Sequence, residues 1–199
     1  MATLNPATGV TRHATDLEGV WLLEPKAFGD PRGFFAELFR AADYQALGLP
    51  PMVQDNHSRS RFGVLRGLHY QLQQPQGKLV YVARGAIFDV AGDIRRCSPT
   101  FGRSVSATLN DANHHQLYIP TGFAHGFCVL SPEADVIYKC TDYYHAPSER
   151  GLARNDPELA IPWPLAADQV TLSAKDRAHP TVAVISPEAL PSYDPGALG

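Results

Sequence analysis

From Val20 onward, apolar and polar residues alternate in short runs broken by turn residues. A period of two places successive side chains on opposite faces of a strand. GVWLLEP predicts a short strand and FFAELF another, with GDPRG between them as a turn built on Pro31 and Gly33. Residues 41–49, AADYQALGL, form the best helical stretch, closed by Gly48 and Pro50. The middle of the chain then reads as a series of strands: FGVLRGLHYQL, KLVYVARGAIFDVAGDI (a hairpin turning near ARGA), SVSATL, HQLYIP, HGFCVL and ADVIYKCTDYY. They recur about every ten residues, the spacing of a sandwich or barrel. Strands do not alternate with helices, which argues against a parallel doubly wound sheet. The pattern predicts an all-β fold, a double-stranded β-helix or jelly roll with a few short helices.

The two ends differ from this body. Residues 1–19 are polar and aperiodic and predict a flexible leader; residues 20–185 form a single domain; residues 186–199, rich in Pro and Gly, predict a loose tail. The 199 residues suffice for one domain with a sizeable core. A net charge of -3 gives no basic surplus for nucleic acid. No run of about 18 apolar residues predicts a membrane span. The N-terminus lacks the apolar core of a signal peptide. Cys97, Cys128 and Cys140 are odd in number and lack CxxC spacing, which argues against a disulfide framework and a structural zinc site. A reducing, cytoplasmic setting fits best.

Candidate chemistry concentrates in four places. Residues 54–71 bring Asp55, His57, Arg59, Arg61, Arg66 and His69 to a strongly apolar strand. In a regular strand Arg66 and His69 face opposite ways, so both serve one cavity only if Gly67 marks a bulge or Arg66 sits near the rim. The same pattern fits a half-exposed edge strand with a snorkelling Arg66. TGFAHGF places His125 in a turn before a buried strand, as a functional group or as a hydrogen-bonded turn histidine. ADVIYKCT puts Tyr138 on one strand face with Val136 and Cys140, where a packed core tyrosine is the alternative. LSAKD carries Lys175 and Asp176, which also read as a solvated charge pair.

A mononuclear metal centre wants three or four converging His and carboxylate ligands. The strand around His69 has no HxH pair, His114 and His115 point to opposite faces, and His145 and His179 fall in loops. No metal triad is predicted. Nor is there a dinucleotide fingerprint, a P-loop or a nucleophile elbow.

The strings GDPRGFFAE, VQDNHSRS, VLRGLHYQ, QGKLV, FDVAGDIR, SPTFG, IPTGFAHGF, IYKCTDYY and LSAKD occur in that order between about Val20 and Pro180. Each is weak alone, but their order and spacing are specific. Through them the chain resembles the dTDP-4-dehydrorhamnose 3,5-epimerase family. The resemblance implies a dimeric cupin jelly roll whose N-terminal strands help complete the partner's sheet. It implies His69 as general base, Tyr138 as proton donor, Asp176 as the partner that holds the His69 tautomer, and Lys78 beside the keto oxygen. Its contacts to a dTDP-linked 4-keto-6-deoxy sugar fall on Arg32, Glu37, Gln54, Asp55, Asn56, Arg66, His125, Glu149 and Lys175. It implies no cofactor and no metal. His115 stands where the family often carries Arg, and the leader is longer than usual.

These residue types suit the implied reaction. A 4-keto sugar is acidic at C3 and C5 because the carbanion delocalises as an enolate. A histidine, with an unperturbed pKa of about 6.5, is a base matched to neutral pH. A carboxylate on its other nitrogen fixes the tautomer, an ammonium stabilises the enolate oxygen, and a tyrosine supplies a proton from the opposite face. The rival expectations are a 3-epimerase of another dTDP-deoxysugar pathway, a metal-dependent cupin enzyme and a non-catalytic sugar-binding cupin.

Overall fold

Two antiparallel sheets stack because their strands turn alternate apolar side chains toward each other. The computed structural model describes residues 2–5, as backbone, and 9–196. It begins with β1 (Ala2–Asn5), β2 (Val10–Ala14), β3 (Trp21–Pro25), β4 (Ala27–Asp30) and β5 (Gly33–Ala36), then a short helix α1 (Ala41–Ala46). Next come β6 (Gln54–Arg61), β7 (Leu65–Gln71), β8 (Lys78–Arg84), β9 (Ala86–Asp93) and β10 (Ser104–Asn110). The chain ends with β11 (Gln116–Ile119), β12 (Phe123–Val129), β13 (Glu133–Cys140), β14 (Glu149–Gly151) and the single turn α2 (Ala174–Arg177). One sheet has the order β1-β2-β3-β11-β8-β13-β6, the other β10-β9-β12-β7-β14, and β4-β5 is a separate hairpin. This is the jelly-roll sandwich expected from the strand spacing.

The core between the sheets follows the alternation. Val80 and Val82 of β8 and Ala134 and Val136 of β13 meet Ile87 and Ala91 of β9 and Phe127 and Val129 of β12. Each such side chain contributes about 1.5–3 kcal/mol on burial. The outer faces are covered too. Helix α1 brings Tyr44 and Leu47 onto Leu23, Leu79 and Tyr118 of the larger sheet. Loops after β14 lay Leu152, Leu159, Val182 and Leu190 over Leu68 and Tyr70 of the smaller one.

Three expectations change. KLVYVARGAIFDVAGDI is not a hairpin: β8 pairs with β11 and β13, whereas β9 pairs with β10 and β12 in the other sheet. Alternation fixes which face is apolar, not which strand is the neighbour. Gly85, at φ +84, lets the chain cross between sheets where a Cβ would lie 2.2 Å from the Glu133 carbonyl oxygen.

The stretch 10–19 is not loose. Residues 10–14 pair with β3, and Val10 and Leu17 are buried. Two well-spaced apolar anchors suffice where the neighbouring strand supplies the hydrogen bonds. The expected loose tail is docked through residue 193: the Tyr70 hydroxyl donates to the Ala189 carbonyl, and the Tyr193 amide donates to the Arg96 carbonyl.

Candidate active site

The site begins with a defect in strand pairing. On β12, His125 and Phe127 are two residues apart; their β7 partners His69 and Arg66 are three apart. The extra residue bulges at Gly67 and Leu68. Cross-strand partners share a sheet face, so Arg66 and His69 both turn inward, as the bulge alternative required. Only glycine fits here. Gly67 has φ +119, and a Cβ would lie 2.6 Å from the Gly126 Cα and 2.7 Å from the His125 carbonyl oxygen.

At this end of the sandwich a cavity of about 400 Å³ opens between the sheets. The smaller sheet supplies His69, Gln71, Phe123, His125 and Glu149; the larger supplies Gln54, Asn56, Lys78, Ile119 and Tyr138.

On the smaller-sheet wall, His69 Nε2 donates to Asp176 Oδ1 at 2.6 Å. Asp176 reaches in from α2, whose N-cap Ser173 accepts from the Asp176 amide and donates its hydroxyl to Oδ2 at 2.8 Å. Burial alone would raise the Asp176 pKa, but the hydrogen bonds from His69 and Ser173 outweigh it and hold the carboxyl below the usual range. Asp176 is therefore an anion that fixes the His69 proton on Nε2 and leaves Nδ1 with the lone pair. Deeper in the same wall, His125 Nε2 hydrogen-bonds Asp89 Oδ1 at 2.8 Å, and burial lowers the His125 pKa against that carboxylate's pull.

On the opposite wall, Lys78 and Tyr138 lie on the inward faces of β8 and β13. Lys78 Nζ sits 5.9 Å from the Tyr138 ring centroid and has no ion-pair partner among the described residues. Burial lowers its pKa, offset in part by Cys140, Asp89 and Glu149. Burial raises the pKa of Tyr138 and Arg66 draws it back, so the phenol keeps its proton at neutral pH. A ketone held between these walls would meet an imidazole lone pair on one side, a phenol on the other and an ammonium beside them.

The sequence-derived residues divide into three groups. Gln54, Asn56, His69, Lys78, His125, Tyr138 and Glu149 line the cavity. Asp176, Lys175 and Arg66 adjoin it: Lys175 pairs with Glu149, and Arg66 Nε donates to Ser60 at 3.1 Å. Glu149 also accepts from Tyr144, and these bonds outweigh its burial and lower its pKa. Asp55 is outside. It occupies the outward parity of β6 and pairs with Lys139 at 2.8 Å. Arg32 and Glu37 are also outside, on and just after the β4–β5 hairpin, where they pair with Asp30 and Arg40.

His125 lies within β12, not in a turn, because Phe123 and Phe127 at the same parity carry the strand through it. Tyr144, Gln71 and Gln76 line the cavity unforeseen. A buried Gln ending the GLHYQ strand was the one available signal. His179, assigned to a loop, lies against His69 with ring centroids 5.6 Å apart.

The family model described as dTDP-4-dehydrorhamnose 3,5-epimerase matches residues 14–183. A protein of that name from Pseudomonas aeruginosa is 55% identical over 160 residues, 79% of this chain and 88% of that protein. Another, from Neisseria gonorrhoeae, is 52% identical over 177 residues, 88% of this chain; the match spans only 54% of that longer protein. A crystal structure of a dTDP-6-deoxy-D-glucose-3,5-epimerase from Legionella pneumophila, in complex with dTDP-4-keto-L-rhamnose, superimposes with a TM-score of 0.90. It is 53% identical, over 93% of this chain and 99% of that one.

Proposed function

The chain belongs to the dTDP-4-dehydrorhamnose 3,5-epimerase family, and from that premise we propose that it inverts C3 and C5 of dTDP-4-dehydro-6-deoxy-D-glucose, giving dTDP-4-dehydro-L-rhamnose. The observation that carries this reading is the placing of the His69–Asp176 pair and the Lys78–Tyr138 pair on opposing walls of one cavity.

His69 Nδ1 takes the proton from the carbon beside the ketone, and Asp176 stabilises the imidazolium. The electron pair moves onto the C4 oxygen. The Lys78 ammonium meets the developing charge there, a kind of contact whose loss costs about 10²–10³ in rate. Tyr138 protonates the same carbon from the other face; the imidazolium then gives its proton to solvent and solvent restores the phenol. Repetition at the second carbon completes the double inversion. Asp89 holds His125, and Glu149 with Lys175 and Tyr144 closes the rim where the nucleotide enters.

We also assign Arg32 and Glu37 to the cavity of a second copy in a homodimer. In support, Phe28, Phe34 and Phe35 of the same hairpin are 55%, 63% and 69% exposed, an apolar face of the kind that partners cover. A cytoplasmic setting is supported by three free cysteines. Among the described residues no helix is long and apolar enough to cross a membrane.

The test is proton NMR of the 4-keto sugar nucleotide with the protein in deuterated buffer containing a chelator. Deuterium at both C3 and C5, with dTDP-rhamnose after reduction, supports the double epimerase. Deuterium at C3 alone identifies a 3-epimerase, and no exchange overturns the reading.

A further inference from the structure

His179 takes no part in the reaction just described, yet it is held in place. Its side chain is 10% exposed. The backbone of Gly151 presses on the ring so closely that a Cβ there would fall 2.2 Å from Cε1. Its Nδ1 is buried with no hydrogen-bond partner among the described residues. The nearest acceptor, Asp176 Oδ1, is 3.8 Å away, too far for a hydrogen bond. A buried imidazole nitrogen without a partner is costly unless something else engages it.

The atom it faces is the one His69 Nε2 already contacts. Asp176 lies in α2, His179 follows two residues after the end of that helix, and β7 brings His69 to them from the sheet. His69, Asp176 and His179 thus present two imidazole nitrogens and one carboxylate oxygen, all within 4.8 Å of one another. Two nitrogens and one oxygen form a donor set that Zn²⁺ accepts. Tetrahedral zinc with ligands at about 2.0–2.2 Å separates its donors by about 3.3–3.5 Å. The 2.6 Å contact from His69 to Asp176 must therefore open, and the 3.8 Å contact from His179 must close. These two contacts move by less than 1 Å each, and the two imidazole nitrogens, within 4.8 Å of one another, close by at most about 1.5 Å.

We propose that these three residues form an inhibitory site for a divalent transition ion of the zinc class, centred on the rear nitrogen of the catalytic histidine. Without the ion, the single proton of neutral His69 sits on Nε2 and the lone pair on Nδ1 faces the sugar. An ion bound at Nε2 needs that nitrogen's lone pair, so the ring's one proton moves to Nδ1. The base is then capped on its working side while the sugar cavity stays open. Asp176 is drawn onto the ion and no longer supports an imidazolium. The inhibition rests on His69 being the base; the binding of the ion does not.

Co²⁺ serves as a spectroscopic probe for Zn²⁺ on the metal-stripped full-length protein. One equivalent should bind with visible d–d absorption, and Zn²⁺ should displace it. His179→Asn should remove that absorption and weaken binding by more than the roughly 10–100-fold that loss of an outer-shell partner costs. Saturating Zn²⁺ should slow deuterium exchange into the sugar by about 10²–10⁴, the share of a general base, and a chelator should restore it. His179→Asn should exchange normally and resist Zn²⁺. His179→Cys, which retains a zinc ligand, should remain sensitive and covers the case in which the Asn variant folds poorly. Equal Co²⁺ binding by wild type and His179→Asn, or no saturable binding by wild type, overturns the site. Binding without loss of exchange overturns the inhibition. Absence of exchange in metal-free protein that still binds Co²⁺ counts against the epimerase reading and leaves the site standing.

Discussion

Replacing Asp176 by Asn changes one atom of a contact 107 residues long in sequence, and the surroundings dictate its outcome. The Ser173 hydroxyl has one proton. Its oxygen already accepts from the backbone amide of residue 176, and its proton goes to Oδ2. An amide at 176 must therefore place its carbonyl oxygen toward Ser173 and its NH₂ toward His69. Nε2 then has to accept, the ring proton shifts to Nδ1, and the base loses its lone pair. The same tautomer inversion in a Ser-His-Asp triad costs about 10⁴ in kcat. Exchange into the sugar should fall by about 10³–10⁴, about 4–5.5 kcal/mol of barrier. The assay is the initial rate of solvent deuterium entry at C3 and C5, with near-UV circular dichroism to verify folding. Adding Ser173→Ala frees the amide to turn over and should recover part of the loss, although the single Ser173→Ala change is harmful or neutral. Exchange within about tenfold of wild type in Asp176→Asn, or no recovery in the double variant, would refute the tautomer argument.

Tyr138→Phe should keep deuterium entry but impair inversion at both carbons, read from product stereochemistry by NMR; complete loss of exchange would count against a role as donor only. Gly67→Ala forces a Cβ to within 2.6 Å of the Gly126 backbone at φ +119. It should cost at least about 2 kcal/mol, a drop in Tm of about 4–8 °C for a chain of this size, together with lost activity as Arg66 and His69 fall out of register. Asp135, hydrogen-bonded by Arg59 and His57, has its pKa lowered to about 2, below the roughly 3.9 of an unfolded aspartate. Its ionised form thus stabilises the fold above about pH 4, and the contribution fades as pH falls through 2. Asp135→Asn should be less stable than wild type in neutral urea titrations, and the difference should vanish only below about pH 2.

The sequence carried the strands well because alternation is imposed by burial, and burial acts residue by residue. It carried α1 for the same reason, through the Gly48 and Pro50 stop. Pairing is different. Arg84-Gly85-Ala86 looks like a hairpin turn until both flanking strands find other partners, a decision made by strands elsewhere in the sequence, as in the pairing of Lys78 with Cys140. The Gly67 bulge was legible only as a condition, since a glycine in a strand marks either a bulge or a close approach, and here it marks both. The His69–Asp176 pair came from the family resemblance; no local spacing joins residues so far apart. Asp55 came with Gln54 and Asn56 from the family resemblance; its parity in β6 turns it to the outer face, toward Lys139. His179 reads only as a loop residue in the sequence, because loop residues are placed by the surfaces they land on, in this case Gly151.

The proposed proton-transfer groups ride on separate sheets. His69 belongs to the five-stranded sheet and Tyr138 to the seven-stranded one. The sandwich is therefore a calliper, and the packed layer of Val80, Ala91, Phe127 and Val136 is the shim that sets its gap. A methyl group added to or removed from that layer changes the opening without altering any polar residue. On the proposed mechanism, the stereochemical record of the product, one centre turned or two, is written by the thickness of a hydrocarbon spacer that never meets the sugar.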